Sequence, residues 1–381
     1  MKIVLAPDSF KGSLSSEAVC RALERGLRRV LPDAEILHRP MADGGEGTLD
    51  AVVAASTGAR RKQSLVRNAA GQSAEVSYAL IRHGIYEAAV IEVAQVVGIV
   101  DAANMAVLVG SRSSYGVGEL MRLLIDEGIR HFFVGLGGTS TNDGGAGLLA
   151  ALGVKFISST RKPIEPTPDG LATLISVDVT ALDPRVDECE ITLLSDVNNP
   201  LCGASGATAI FGPQKGVGAS EVARIDGVID NYATRLEAAL QRSARDKPGA
   251  GAAGGLGYAL QLLGAKFASG AETVAALIAL TDACANASWL ITGEGRSDAQ
   301  TLLGKTPFAA AQTLRKHGAA DAKATLISGG VDPLALSSLA PTFNGGCFSI
   351  APGPISLERA IADADTFLAN TAEQVARLVA R

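Results

Sequence analysis

Histidine and cysteine are too few and too scattered in this chain to build a soft-ligand metal site. The five cysteines, at 20, 189, 202, 284 and 347, include no C-x-x-C pair, and the four histidines stand alone. A zinc pattern is therefore excluded, any metal is expected on oxygen ligands, and a reduced cytoplasmic protein is expected. Charge of one sign is also missing. The formal net charge is −5 with no dense Lys/Arg run, which argues against a nucleic-acid partner. The Arg25, Arg28 and Arg29 cluster reads as a solvated helix face. Long hydrophobic runs are absent too. "MKIVLAPDSF" has five apolar residues before Pro7 and Asp8, too few for a signal peptide, and the apolar region around 88–110 is broken by Glu92, Gln95, Asp101 and Asn104. No membrane association is expected.

Several familiar motifs are missing as well. There is no G-x-S-x-G elbow, which disfavours an α/β-hydrolase. "AQTLLGKT" (299–306) lacks the first glycine of a P-loop, and "GAGLLA" (145–150) does not directly follow a strand as a dinucleotide fingerprint must. No internal repeat or low-complexity tail is visible.

What the chain does have is glycine, 43 residues of it, within 381 residues that are 47% hydrophobic and only 4% aromatic. That profile suits many strand–helix turns with Ala/Leu/Val packing, and the length favours two domains. Lys2–Ala6 reads as a buried strand. A helix capped by Ser15 or Ser16 follows, with Val19, Leu23, Leu27 and Leu31 on one stripe before Pro32, and Glu35–Arg39 reads as the next strand. "WLITGEGRSD" (289–298), "ATLISGG" (324–330) and "CFSIAPGP" (347–354) repeat the strand-then-polar-loop grammar, and 356–381 reads as a closing helix. The expectation is an α/β protein of two α/β domains. One is Rossmann-like, with a parallel sheet built from residues 1–60 and 286–381, and the second, 61–285, is inserted into it. Within the insert, Ala74–Ile81 and Ile85–Val93 read as a hairpin around His83-Gly84. Long helices are expected near 219–243 and 255–286. "SARDKPGAGAAGGLG" (243–257) is either a flexible linker or a substrate loop.

Five stretches combine glycine or turn residues with a carboxylate or lysine: Asp8–Gly12, Asp43–Gly47, Asn142–Gly145, Asp196–Pro200 and Gly293–Asp298. Phosphoryl transfer uses these ingredients, since backbone N–H groups and Lys/Arg neutralise phosphates while carboxylates hold Mg²⁺ or accept a proton. Turns favour Gly and Asp for purely structural reasons as well, so no single stretch decides. "GLGGTSTNDGG" (135–145) is the densest. Amides bared at a strand–helix turn suit an anion, while Asp143 suits a metal or a hydroxyl.

Seven blocks, "APDSFKGSLS" (6–15), "PMADGGEGT" (40–48), "GLGGTSTNDGGAG" (135–147), "SDVNNPLCGASGA" (195–207), "FGPQKG" (211–216), "GAAGGLGYAL" (251–260) and "TGEGRSDAQTLLGKTP" (292–307), together resemble the type 1 glycerate kinases of bacteria, collinearly over nearly the whole chain. The resemblance implies ATP- and Mg²⁺-dependent phosphorylation of D-glycerate, with 2-phosphoglycerate preferred over 3-phosphoglycerate as product, in a cleft between two α/β domains. On this reading Asp196, Asp43 and Lys11 are expected to be catalytic, with Asp196 the favoured base. Asp8, Ser9, Lys11, Gly44, Gly45, Glu46, Asn198 and Arg296 are expected to bind substrate. Gly137, Gly138, Thr139, Ser140, Thr141, Asn142, Gly144, Gly145, Lys215 and Lys305 are expected to bind the nucleotide, and Asp143, Glu294 and Asp298 the metal. A non-catalytic sugar-acid binding protein is the alternative, but it has no use for so many carboxylates beside an anion. A nicotinamide-dependent oxidoreductase lacks its fingerprint.

Overall fold

The computed structural model describes residues 1–379 and divides into two compact units. The first comprises Met1–Asp43, Gly47–Ala59 and the chain from Ser269 onward; the second comprises Gly44–Glu46 and Arg60–Ala268. The expected boundary at 285 therefore falls too late. The helices Gly270–Leu277 and Leu280–Cys284 belong to the first unit. The long helix expected over 255–286 is not continuous: Leu256–Leu262 ends at Gly264, whose φ of +92° breaks the helix, and Lys266–Ala268 is a strand.

The sheet of the first unit is parallel throughout, in the order Cys347–Ser349, Lys323–Ser328, Trp289–Thr292, Lys2–Leu5, Glu35–His38. Its two central strands, Lys2–Leu5 and Trp289–Thr292, are nearly all apolar and fully buried from Ile3 to Leu5 and from Trp289 to Ile291, as a strand covered on both faces requires. Trp289 keeps its one polar atom satisfied by donating Nε1–H to Thr325 Oγ1 at 2.9 Å. Helix Ser16–Arg28 starts where Ser15 Oγ accepts the Ala18 N–H, and it buries Val19, Leu23 and Leu27. It packs on helix Ala364–Val379 so closely that a Cβ on Gly26 would stand 2.0 Å from Ala369 O. The arginine cluster is not simply solvated. Arg25 pairs with Asp365, Arg28 with Glu24 and Arg29 with Glu373. Two helices, Leu357–Ala362 and Ala364–Val379, replace the single closing helix.

In the first unit's own strand order, the first strand lies between the second and the third. Connections leave it in opposite directions, which makes a topological switch point between Lys2–Leu5 and Trp289–Thr292.

The second unit carries a six-stranded sheet in the order Lys266–Ala268, Glu190–Leu194, His131–Gly135, Tyr86–Glu92, Ser73–His83, Arg60–Arg67. The first four run parallel, and the last two pairings are antiparallel, so that Ser73–His83 alone runs against the rest. The expected hairpin is present, with His83 opposite Tyr86 and Gly84 at φ +62° in the turn. Helix Val222–Leu240 covers the region expected near 219–243. Residues 243–257 are neither linker nor open loop. Much of the segment is buried, and Gly254 and Gly255 are wedged against the strand–helix turn at 141–144, where a Cβ on Gly254 would lie 2.0 Å from Thr141 O. No helix among the described residues is long and apolar enough to cross a membrane.

Candidate active site

Ligands in open parallel sheets bind outside the carboxyl ends of strands, at the switch point. In the first unit that place is occupied by acids. Pairing continues past the strand ends: Ala6 N–H donates to Ile291 O, Thr292 Oγ1 to Ala6 O and Asp8 N–H to Gly293 O, at 2.7–2.8 Å. Asp8 is thereby laid beside Gly293-Glu294. Gly293 cannot carry a side chain, because its Cβ would sit 1.7 Å from Ile327 O. Met41 N–H donates to Pro7 O, which brings the 41–43 segment alongside. Phe10 is buried and closes a tight turn with Leu14, so that Lys11 and Gly12 project into solvent. Lys11 Nζ stands 3.7 Å from Asp43 Oδ2.

Asp8 is the perturbed member of this group. Burial, reinforced by the nearby Asp43 carboxylate, pushes its carboxyl up to about 7, against the Thr306 hydroxyl, the Ser9 N–H and the Lys11 ammonium. The Ser9 amide donates to Asp8 Oδ1 at 2.6 Å. Burial also raises Glu294, whose Oε1 accepts from Thr301 Oγ1 at 2.8 Å and Ser297 Oγ at 3.0 Å. Asp298 caps the short turn Ala299–Leu302, accepting the Gln300 N–H while its own N–H donates to Thr301 Oγ1. Arg296 is exposed, and Lys305 precedes helix Thr306–His317 with Gly304 at φ +92° before it. Thus Asp8, Ser9, Lys11, Asp43, Glu294, Asp298 and Lys305 lie on loops of the first unit, Arg296 opens the two-residue strand Arg296–Ser297, and all but Lys305 follow the carboxyl ends of the sheet's strands.

The second unit places its glycine-rich loop at the carboxyl end of His131–Gly135. Two expectations for that loop are corrected. Asp143 is fully enclosed, with Oδ2 accepting from Ser114 N, Ser114 Oγ and Gly147 N and Oδ1 from Gly145 N, at 2.7–3.2 Å. A carboxylate so occupied anchors the strand–helix turn, and we therefore remove it from the metal ligands. The amides of the loop are not all bared either. Ser140 N–H donates to Val97 O, Gly144 N–H to Gly254 O and Gly145 N–H to Asp143, and only Gly138 in the 137–145 stretch is exposed. Gly144 and Gly145 are packing residues: their Cβ atoms would strike the Tyr232 ring at 2.7 Å and Ala259 Cβ at 2.4 Å.

Lys215 is buried rather than extended toward solvent, and its ammonium donates to Thr141 O. Burial lowers its pKa to about 7, with Asp143 opposing and Arg112 adding to the shift. Gly44 and Gly45 pack on the ends of the parallel strands, where Cβ atoms would lie 2.6 Å from Leu194 O at Gly44 and, at Gly137, 2.5 Å from Gly45 Cα. Glu46, Asp196 and Asn198 are exposed, the last two in the loop after Glu190–Leu194. Arg112, Ser114 and Thr301 escaped the sequence reading. They lie in "GSRSS" and "AQTL", which carry no glycine–acid signature and gain meaning only from their partners.

Among the described residues, no three or more His, Cys, Asp or Glu side chains converge to hold a metal alone. Such a donor set fits Mg²⁺ better than a caged cation, because Mg²⁺ usually takes one or two carboxylates and completes its shell with water and substrate phosphate.

The comparisons agree with this architecture. A model of the glycerate kinase family matches residues 3–380. A glycerate 2-kinase of Escherichia coli K12 is 41% identical over 83% of either chain, and a glycerate kinase of Bacillus subtilis 168 is 37% identical over 99% of this chain and 97% of that one. A crystal structure from Salmonella typhimurium LT2, solved as a candidate glycerate kinase 2, superposes with a TM-score of 0.84 at 38% identity, covering all of this chain and 98% of that one. With the family model spanning nearly every residue and relatives this similar, the chain belongs to the glycerate kinase family.

Proposed function

We propose that this kinase transfers the γ-phosphoryl group of ATP to the 2-hydroxyl of D-glycerate, giving ADP and 2-phosphoglycerate, with Mg²⁺ and in the cytoplasm. The observation that carries the chemistry is the switch-point cluster of Asp8, Asp43 and Glu294 with Lys11. A buried acid, partly exposed acids and an exposed cation at the end of a parallel sheet suit phosphoryl transfer, and they serve no purpose in a protein that merely retains an anion. The 2-position is favoured by the resemblance to the type 1 enzymes and by the name of the Escherichia coli relative.

In the reaction, the glycerate hydroxyl oxygen bonds to the γ-phosphorus as the bridging bond to the β-phosphate breaks, and the hydroxyl proton passes to a carboxylate. We assign the proton to Asp196, on the loop after the Glu190–Leu194 strand. Asp8 is the second reading, favoured by one observation: a carboxyl pushed up to about 7 is a stronger base than an ordinary one. Lys11 would neutralise charge on the transferred group or on the substrate carboxylate. Glu294 and Asp298 would hold Mg²⁺, which when bound supplies charge neutralisation on the phosphates. Gly138, Thr139, Thr141 and Asn142 would meet the ligand by main-chain N–H groups, those of Gly137 and Ser140 being taken by Gly44 O and Val97 O, and Lys305 would add charge beside the phosphates.

The test is incubation with ATP, Mg²⁺ and D-glycerate followed by phosphorus NMR. A 2-phosphoglycerate resonance supports the assignment, and a 3-phosphoglycerate resonance corrects the regiochemistry. No phosphorylated product would refute the function. Asp196→Asn and Asp8→Asn then separate the bases, since the true base loses turnover far more than nucleotide binding.

A further inference from the structure

The glycine-rich loop of the second unit is gripped from one side by two buried cations. Arg112 directs its guanidinium at main-chain carbonyls. Nε and Nη2 donate to Val107 O at 3.1 and 2.8 Å, and Nη1 donates to Ser140 O at 3.1 Å and Lys215 O at 2.8 Å. Lys215 Nζ donates to Thr141 O at 2.7 Å and to Thr139 Oγ1 at 3.3 Å. Only 3% of Arg112 and 2% of Lys215 is exposed. The nearby carboxylate, Asp143, has its oxygens occupied by Ser114, Gly145 and Gly147. Two buried cations thus face one committed anion. Buried charges are poor stabilisers, and an apolar pair of similar volume would generally hold a fold as well.

Peptide geometry gives the cations a purpose. A trans peptide is planar, with its C=O and the following N–H on opposite edges. With the Ser140 and Thr141 carbonyls held by Arg112 and Lys215, the N–H groups of Thr141 and Asn142 must point the other way. The loop entrance is stitched down separately, since Ser140 donates both its N–H and its hydroxyl to Val97 O. On the same two residues, Thr141 Oγ1 and Asn142 Oδ1 are buried without a hydrogen-bond partner among the described residues, while Asn142 Nδ2 donates to Thr208 Oγ1. Unpartnered buried polar atoms are rare in folded proteins, and a ligand is one way to satisfy them.

We propose that Arg112 and Lys215 are positioning residues that hold residues 140–142 with the N–H groups of Thr141 and Asn142 presented to an anionic oxygen of a substrate. The Thr141 hydroxyl completes that subsite as a further donor, while Asn142 Oδ1, an acceptor, is left to take a hydrogen bond from a ligand hydroxyl. The inference rests on the reading of the chain as an ATP-dependent glycerate kinase. The anionic oxygen belongs either to the glycerate carboxylate or to a nucleotide phosphate, and both present the same acceptor to a pair of amides.

The experiment begins with the wild-type enzyme, whose production of phosphoglycerate tests the functional reading by itself. Lys215→Met and Arg112→Lys are then compared with it in kcat and in KM for each substrate, alongside thermal melting. Loss of a well-placed oxyanion donor costs about 10²–10³ in turnover, so a misdirected pair should lower kcat/KM by about 10²-fold in a protein that still melts cooperatively. The effect should fall mainly on one substrate. A raised KM for D-glycerate identifies the carboxylate, and a raised KM for ATP identifies the phosphate. Arg112→Lys keeps the charge but loses the fork, and should retain more activity than Arg112→Met. A second measurement needs no variant. In the native protein, the amide NMR resonances of Thr141 and Asn142 should shift on saturation with D-glycerate or with ATP. An active wild type with folded variants of unchanged kcat and KM overturns the inference, and so do Thr141 and Asn142 resonances that move with neither ligand.

Discussion

Asp8 and Asp143 each lie in a glycine-bearing turn after a buried parallel strand, one in each unit, and burial raises both carboxyls, yet their surroundings differ. Asp143 is surrounded by four donors from Ser114, Gly145 and Gly147. Asp8 receives the Ser9 N–H but lies beside a second carboxylate, Asp43, and burial with that neighbour leaves it near pH 7. A carboxylate with its lone pairs filled by donors organises a turn even where burial raises it, whereas one with few donors and a like charge beside it retains chemical potential for proton or cation binding. Glycine and aspartate at a strand end are common to both. The donors supplied by other segments make the difference.

The largest test of that contrast is Asp143→Ala, which strands four buried donors at once. Unfolding stability should fall by about 3–5 kcal/mol in urea titrations, and the Mg²⁺ dependence of any residual activity should stay unchanged. A near-neutral effect on stability would put Asp143 back among the functional acids.

Lys215→Met should reveal the cost of the buried ammonium. The lysine pKa is about 7 in the folded chain and 10.5 when unfolded, with Asp143 and Arg112 facing it. Between these values the unfolded chain binds a proton that the native chain lacks, so wild-type stability from this group rises as pH goes from 7 to 10.5. The Met variant should lose that rise, worth about 2–4 kcal/mol, and be the more stable protein at pH 7. Parallel pH–stability curves for the two proteins would contradict the shift.

For Asp8 the sign is reversed. Its folded value near 7 exceeds the unfolded 3.8, so the native chain binds the extra proton and stability from this group declines as pH rises from 3.8 to 7. Asp8→Asn should be more stable than wild type at pH 8 by about 1–3 kcal/mol in metal-free protein, while activity falls steeply. Unaltered melting at pH 8 would show that Asp8 is an ordinary acid.

Lys11→Ala should have the smallest effect on stability. The lysine side chain is 71% exposed and its contact with Asp43 is 3.7 Å long, so the loss should stay below about 1 kcal/mol. Turnover should nevertheless drop about 10²–10³-fold if it neutralises charge in the transition state. Normal kinetics would reduce it to a solvated loop lysine.

The strand Lys2–Leu5, the Ser15-capped helix and the hairpin at His83-Gly84 were legible because each rests on local pattern: an apolar run, a four-residue stripe, a turn residue between alternating segments. The break at Gly264 and the assignment of residues 270–284 to the first unit were not, because continuous apolar character fits one long helix as well as two short ones and an intervening strand. At the site, the acids and lysines of the first unit could be picked out by their company of glycines. Arg112 and Ser114 could not, since a buried arginine holding carbonyls and a serine holding a carboxylate leave no periodic or spacing signal.

By itself the sequence determined the α/β class and the family, since composition and seven collinear blocks do not depend on how the loops fold. Only the tertiary structure decided which carboxylate is a support and which is available. Protonation and hydrogen bonding depend on burial and on groups distant along the chain, such as the Ser114 donors for Asp143 and the Asp43 charge for Asp8. The direction of the Ser140 and Thr141 carbonyls was likewise fixed by Arg112 and Lys215, because only packed neighbours can choose between the two faces of a peptide plane.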